Sequence, residues 1–194
     1  GQTPKTPREE DLMEYAVFGL LLREQLTIYQ IRIIFAESFS LIYGDSYGSL
    51  QSALKRLLNQ GFIRFEAVKE GGRNKKIYHI TATGRARFIA WMGEEIPLSK
   101  LETATLTRLF FLGELEQVDR ITVLHNIQGT LAGYLERLHG IKEANAPHYA
   151  LNIPWVTYRL AMLDYAIFEI GNSLQFFSKL SAQEQPAAQQ KPGG

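Results

Sequence analysis

The first apolar stretch, EDLMEYAVFGLLLREQ, sets Leu12, Tyr15, Ala16, Phe18, Leu20 and Leu22 around most of a helical surface. It predicts a helix central to a core. LTIYQIRIIFAESFSL follows after a very short connection, with Ile28, Ile31, Ile34 and Phe35 at helical spacing, and IYGD interrupts it. DSYGSLQSALKRLLNQG is the clearest element: Ser46 offers an N-cap, Leu50, Ala53, Leu54, Leu57 and Leu58 form one apolar face, and Gly61 supplies a stop. Its opposite face carries Ser49, Gln51, Ser52, Lys55, Arg56 and Asn59. A core helix requires the inner stripe; it does not require this outer composition.

FIRFEAVKE then alternates with period two, and KIYHIT repeats the strand pattern after the glycine-led turn EGGRNKK. TGRARFIAWMGEE resumes helix. Three helices followed by a hairpin is the order of a winged helix-turn-helix. The expected fold class is mainly α (α+β): an N-terminal winged helix-turn-helix with a two-stranded wing, then a C-terminal antiparallel helical dimerisation domain. In such a fold the third helix fits a major groove about 12 Å wide, and the hairpin tip reaches flanking phosphates or the minor groove.

In the second half, LETATLTRLFFLGEL predicts a short helix ending near Gly113. The next runs from Gln117 to about Ala144, with Val118, Ile121, Leu124, Ile127, Leu131, Tyr134, Leu138 and Ile141 at spacings of three and four. After the linker NAPHYALNIP, a last helix is expected from Trp155 to about Leu180. Its residues Val156, Leu160, Leu163, Ile167, Ile170, Leu174 and Phe177 make an unbroken heptad seam, the expected dimer interface. Tyr158, Met162, Tyr165 and Phe168 add a second stripe, so one small domain hardly covers both faces. Burial against a second chain is the reading favoured here; an intrachain pair with the Val118–Ile141 helix is the alternative. The polar tail SAQEQPAAQQKPGG is expected to be disordered. The expected organisation is an arm over 1–10, a winged domain over 11–93, a helical domain over 98–181 and a tail over 182–194.

Composition narrows the class. The chain of 194 residues is 45% hydrophobic and 21% charged, ordinary for a globular protein. It has no cysteine, which excludes disulfides and thiolate zinc sites and fits a reducing cytoplasm, the expected location. No apolar run reaches a membrane span, so no membrane association is expected, and the polar start GQTPKTPREED lacks a signal-peptide core. The net charge of +1 hides an asymmetry: residues 46–87 hold 9 Lys+Arg against 2 Asp+Glu. Such a block is the footprint of a polyanion contact, with a merely solvated basic face as the plain alternative.

Catalysis finds no support. His79, His125, His139 and His148 are scattered without metal-ligand spacing, no G-x-S-x-G elbow occurs, and Glu9-Glu10 and Glu94-Glu95 sit in polar or hinge segments. EGGRNKK lacks the G-x-x-x-x-G-K-[ST] spacing of a nucleotide loop. No enzyme activity, cofactor or metal is expected.

YGSLQSALKRLLNQGFI followed by GRNKKIYHITATGR resembles the PadR-family transcriptional regulators. Their third helix reads roughly G-S-[IL]-Y-P-A-L-K-R-L-x-x-x-G-[LI]-[IV] and their wing G-R-P-R-[KR]-x-Y-x-[LI]-T-x-x-G. The likeness extends through EYAVFGLLL and, more weakly, through LTRLFFLGEL and the last helix. Three positions depart: Gln51-Ser52 replace the frequent Y-P pair, Asn74 replaces the wing proline, and Ile28-Tyr29-Gln30-Ile31 replaces G-Y-E-[LI]. The resemblance implies a homodimeric regulator of transcription, most simply a repressor, on a near-palindromic site in double-stranded DNA. Arg73, Lys75, Lys76 and Lys55, with Asn74 beside them on the wing, would meet phosphates. Ser49, Gln51, Ser52 and Arg56, with Tyr47 at the helix entrance, would reach base edges. Many relatives respond to small aromatic or lipophilic compounds near the dimer centre. Trp91, Phe110, Phe111, Trp155, Tyr158, Tyr165 and Phe168 would line such an effector pocket here, unless they are simply core and interface; some relatives act through a partner protein instead. The rival reading keeps the winged fold as an interaction module whose basic face binds an acidic protein.

Overall fold

A computed structural model describes residues 9–43, 47–147 and 153–184. The chain forms two compact units, the first ending at Glu116 and the second beginning at Gln117.

In the first unit, helix α1 (Glu9–Arg23) is surrounded by its neighbours. Ala16, Val17 and Phe18 lie out of contact with solvent, as its all-round apolar surface requires. The next segment departs from the sequence pattern. Leu26–Thr27 is a two-residue strand, β1, and not the start of a helix. Thr27 is then the N-cap of α2 (Ile28–Ile34): its hydroxyl accepts from the Gln30 N–H, and Gln30 Oε1 accepts from the Thr27 N–H at 2.8 Å. This reciprocal capping box fixes where strand ends and helix begins. The helical run passes through a π turn at Phe35–Phe39 into α3 (Ser40–Tyr43). Helix α4 (Tyr47–Asn59) follows, and Leu50, Ala53, Leu54 and Leu57 turn its apolar face inward. The proposed cap Ser46 lies outside the described residues.

Strands β2 (Ile63–Glu70) and β3 (Arg73–Ile80) form an antiparallel hairpin paired from Ile63↔Ile80 to Glu70↔Arg73. The turn is Gly71–Gly72 alone, both with positive φ (59° and 77°), a conformation side chains resist and two-residue hairpin loops demand. Arg73 and Asn74 therefore belong to the strand, not the turn. β1 pairs with the other edge of β3, Leu26 opposite Tyr78, giving a three-stranded sheet in the order β1-β3-β2 where two strands were expected.

Helix α5 (Ala82–Met92), capped by Thr81, lays Trp91 flat on Tyr15 of α1, with centroids 4.2 Å apart. Helix α6 (Leu101–Phe111) packs on α1 and α3 within this unit, although its sequence was grouped with the C-terminal helices. Phe111 sits so close to α1 that a Cβ on Gly19 would lie 2.5 Å from its ring.

The second unit is a helix pair, α7 (Gln117–Ala144) and α8 (Pro154–Glu184). It is antiparallel: Arg120 bonds Glu184 at 2.9 Å, while Lys142 pairs with Asp164 at 2.8 Å. Val123, Leu124, Ile127, Leu131 and Leu138 of α7 are buried, as are Val156, Leu160, Leu163 and Phe177 of α8. Ile167, Ile170 and Leu174 are half-buried on the same face. The heptad seam thus packs against α7 of its own chain, the intrachain alternative to a dimer interface. The helix also runs to Glu184, so residues 182–184 are helical, not part of a disordered tail. No helix among the described residues is long and apolar enough to cross a membrane.

Candidate nucleic-acid interface

Burial of one face of α4 leaves the other to solvent. Gln51, Ser52, Lys55 and Asn59 are exposed and Ser49 is half-buried. Arg56 departs from its expected place at base edges: its Nε donates to Glu14 Oε1 of α1 at 2.5 Å, a part-buried contact that draws the guanidinium into the domain. The side chains of Tyr47 and Arg73 lie outside the described residues, so only their backbone positions at the head of α4 and the tip of β3 are defined.

Strand geometry splits the wing's polar groups between two faces. Val68 faces Lys75 across the hairpin, and Ala67 faces Lys76, so consecutive lysines point to opposite sides. Lys76 Nζ lies 4.3 Å from the centre of the Phe65 ring, which holds its stem along the hairpin. Asn74 is exposed beside it. Tyr78 anchors the base of the hairpin; burial pushes its phenol up from the ordinary value, so it stays neutral. On the other face Arg64 bonds Glu66 at 2.6 Å, and buried His79 places Nε2 3.7 Å from the same carboxylate. The Arg64 hydrogen bond, helped by His79, holds the Glu66 carboxyl below its ordinary value.

β1 spans only two residues, so among the described residues no strand pairs with the edge of β3 beyond Ile77. A groove of about 810 Å³ opens there between β3 and the start of α2. Its walls include Tyr29, Gln30, Val68, Asn74, Lys75 and Lys76. Tyr29 and Gln30 are not among the contact residues expected from the sequence. The signal for their position was present: T-x-x-Q at 27–30 is a capping-box pattern, and it puts both residues in the first helical turn.

The expected effector residues are divided between the two units. Trp91 is sandwiched between Tyr15 and the Arg108 guanidinium, 4.1 Å from its ring, and Phe111 is wholly buried among Phe39, Phe88 and Phe110. Those neighbours fill the space a ligand would occupy, so Trp91 and Phe111 are core side chains of the first unit. Phe110 is partly exposed. Trp155, Tyr158, Tyr165 and Phe168 stand on the outer face of α8, Tyr158 with 76% of its surface exposed. Of the histidines, His79 is in β3, His125 and His139 are exposed on α7, and His148 lies outside the described residues. Among the described residues no group of three His, Cys, Asp or Glu side chains is placed to hold a metal.

A helical core, a third helix with a polar outer face and a hairpin wing make the first unit a winged helix-turn-helix domain. The model of the Transcriptional regulator PadR-like family matches residues 17–90. Over those residues the chain is similar to that family. The negative transcriptional regulator PadR of Bacillus subtilis (strain 168) is 28% identical over 88 residues, 45% of this chain. That match spans about half (48%) of the curated relative's length. Among solved structures, Bacillus subtilis PadR in complex with operator DNA aligns with 21% identity and a TM-score of 0.42, over 90% of this chain and 99% of that one. A PadR-like transcriptional regulator from Bacillus cereus aligns with 24% identity and a TM-score of 0.42, over 95% and 100%. Bacillus subtilis PadR in complex with p-coumaric acid aligns with 20% identity and a TM-score of 0.40, over 96% and 100%.

Proposed function

We propose that this chain is a cytoplasmic transcriptional regulator that binds double-stranded DNA as a homodimer and acts as a repressor at a near-palindromic operator. The observation that carries the reading is the pairing of an outward polar face on α4 with a lysine-bearing wing in one domain, inside a segment of nine basic and two acidic residues. Gln51 and Ser52, with Ser49 beside them, read bases from α4. Lys55, Asn74, Lys75 and Lys76, with Arg73 at the wing tip, contact phosphates. The Bacillus subtilis relative described as a negative regulator supports repression. The dimer forms through the outer stripe of α8 (Trp155, Tyr158, Met162, Tyr165), because the seam on its other face is already covered by α7. Two α4 helices held at a fixed separation then address two half-sites. A small aromatic compound bound at that stripe would alter the separation and release the operator, a role consistent with the relative crystallised with p-coumaric acid.

Two substitutions test the division of labour. Lys76→Ala should weaken binding to every sequence and lower the slope of log K against log salt by about 0.9. Gln51→Ala should relax preference at one base pair of each half-site, worth about 1–3 kcal/mol of discrimination. An unchanged salt slope in the first, or an unchanged mismatch profile in the second, rejects the role given to that residue.

A further inference from the structure

We infer that Glu14 is a positioning residue for DNA recognition: its carboxylate holds the Arg56 guanidinium back from the duplex and so keeps affinity for unrelated sequences low. The inference rests on the DNA-binding reading above and deepens it with a residue of α1 that reading does not use. Glu14 is the only charged residue from Leu12 to Leu22, and its neighbours Leu12, Met13, Tyr15 and Ala16 are all buried. Only 13% of its side chain is exposed. A carboxylate placed there needs a cation. Arg56 supplies it from α4, its Nε donating to Glu14 Oε1 at 2.5 Å.

Stability does not account for the pair. Withdrawing both charges from water offsets much of their attraction, and two apolar side chains would hold α1 against α4 as well. What the pair does change is the surface of α4. Arg56 stands next to exposed Lys55 and one turn beyond exposed Ser52, at the border of the polar face. With 32% of its side chain exposed, it needs only a change of rotamer to turn outward. A guanidinium there would grip the phosphate of any duplex, since its planar fork matches that group. Two anions thus compete for Arg56: a phosphate, and a carboxylate already placed by the fold. The ionised Glu14 wins. Occupancy of one site among many unrelated ones follows the ratio of specific to non-specific affinity, so withholding a sequence-blind contact raises selectivity.

The test is fluorescence anisotropy of the full chain with a labelled mixed-sequence duplex of about 30 base pairs, titrated at several salt concentrations. Glu14→Gln keeps the shape and one acceptor but removes the charge, so a phosphate becomes the stronger partner. It should tighten binding about fivefold at about 50 mM salt and steepen the slope of log K against log salt by about 0.9. The sign is diagnostic, because breaking a contact that merely steadies α4 would weaken binding. Glu24→Gln, at an exposed position just past α1, makes the same change in net charge and should leave affinity at the parental value. In the unmutated chain the Arg56 Nε–H NMR signal should keep its chemical shift when the duplex is added, a measurement that needs no variant to fold. Parental or weaker binding by Glu14→Gln, an equal gain in Glu24→Gln, or a duplex-induced shift of the Arg56 signal overturns the inference and leaves the DNA-binding reading standing. If the parent itself fails to bind the duplex at about 50 mM salt, that reading fails and this inference with it.

Discussion

Replacing Arg108 by methionine probes what holds the first unit together. Arg108 is 1% exposed, yet it carries a full charge in the interior. Its Nη2 donates to the Trp91 carbonyl at 2.8 Å and to Glu94 O at 3.3 Å, its Nε to Met92 O at 3.2 Å, and its Nη1 to Ala104 O at 3.4 Å. The Trp91 and Met92 carbonyls belong to the last turn of α5, where helix geometry leaves acceptors without intrahelical partners, and Glu94 O follows just beyond it. The guanidinium therefore caps α5 from α6 and also covers the Trp91 ring. Methionine keeps most of the stem's packing and removes the donors. Hydrogen bonds to charged groups contribute about 1.5–3 kcal/mol each, but the arginine's desolvation offsets part of the sum. The net loss should be about 3–5 kcal/mol, read as a fall of roughly 10–20 °C in Tm for a domain of this size. Calorimetry and urea titration would measure it, with DNA affinity at low temperature kept because α4 and the wing are untouched. A change below about 1 kcal/mol would show that burying the cation costs as much as its carbonyls return, and would refute the capping argument.

Further outcomes follow from other contacts. Gly19→Ala should cost about 1–3 kcal/mol, since the new methyl meets the fully buried Phe111 ring; unfolding titrations check this, and a neutral result would mean α6 is loosely held. NMR titration of Glu66 should give a midpoint below the ordinary glutamate value, returning toward it in Arg64→Ala. Because the folded value is depressed, the contribution of Glu66 is present above its unfolded pKa and is lost as pH falls through the folded one; a midpoint indifferent to Arg64→Ala would contradict the assigned cause. If the proposed dimer forms through the outer face of α8, Tyr165→Glu should convert it to a monomer in sedimentation velocity while leaving α7–α8 helicity intact; a dimer that persists would place the interface elsewhere.

Helices α1, α4, α7 and α8 were legible because each carries an apolar stripe long enough to define a period. The wing was legible from alternation and paired glycines. β1 was not, because two residues have no period; Leu26 is buried by its pairing opposite Tyr78, a contact 52 residues away in sequence that no local pattern encodes. Arg56 shows the same limit at the site. Its place on the polar face of α4 could be read, but its partner Glu14 lies on another helix 42 residues earlier. The two stripes of α8 could also be read, whereas which of them meets α7 could not: heptad spacing declares that a face will be buried and does not name its partner. The groove at β3 arises from the shortness of β1, so it became visible only with the strand.

The central claim, sequence-selective DNA binding by α4 and the wing, is tested most directly by an electrophoretic shift of the full chain on the DNA upstream of its own gene, against excess unrelated competitor. The account predicts a discrete complex that survives the competitor and is lost when Gln51 and Ser52 are both replaced by alanine. A shift that disappears with any competitor DNA, or that the double variant leaves unchanged, would contradict it and favour a basic face that serves an acidic protein partner.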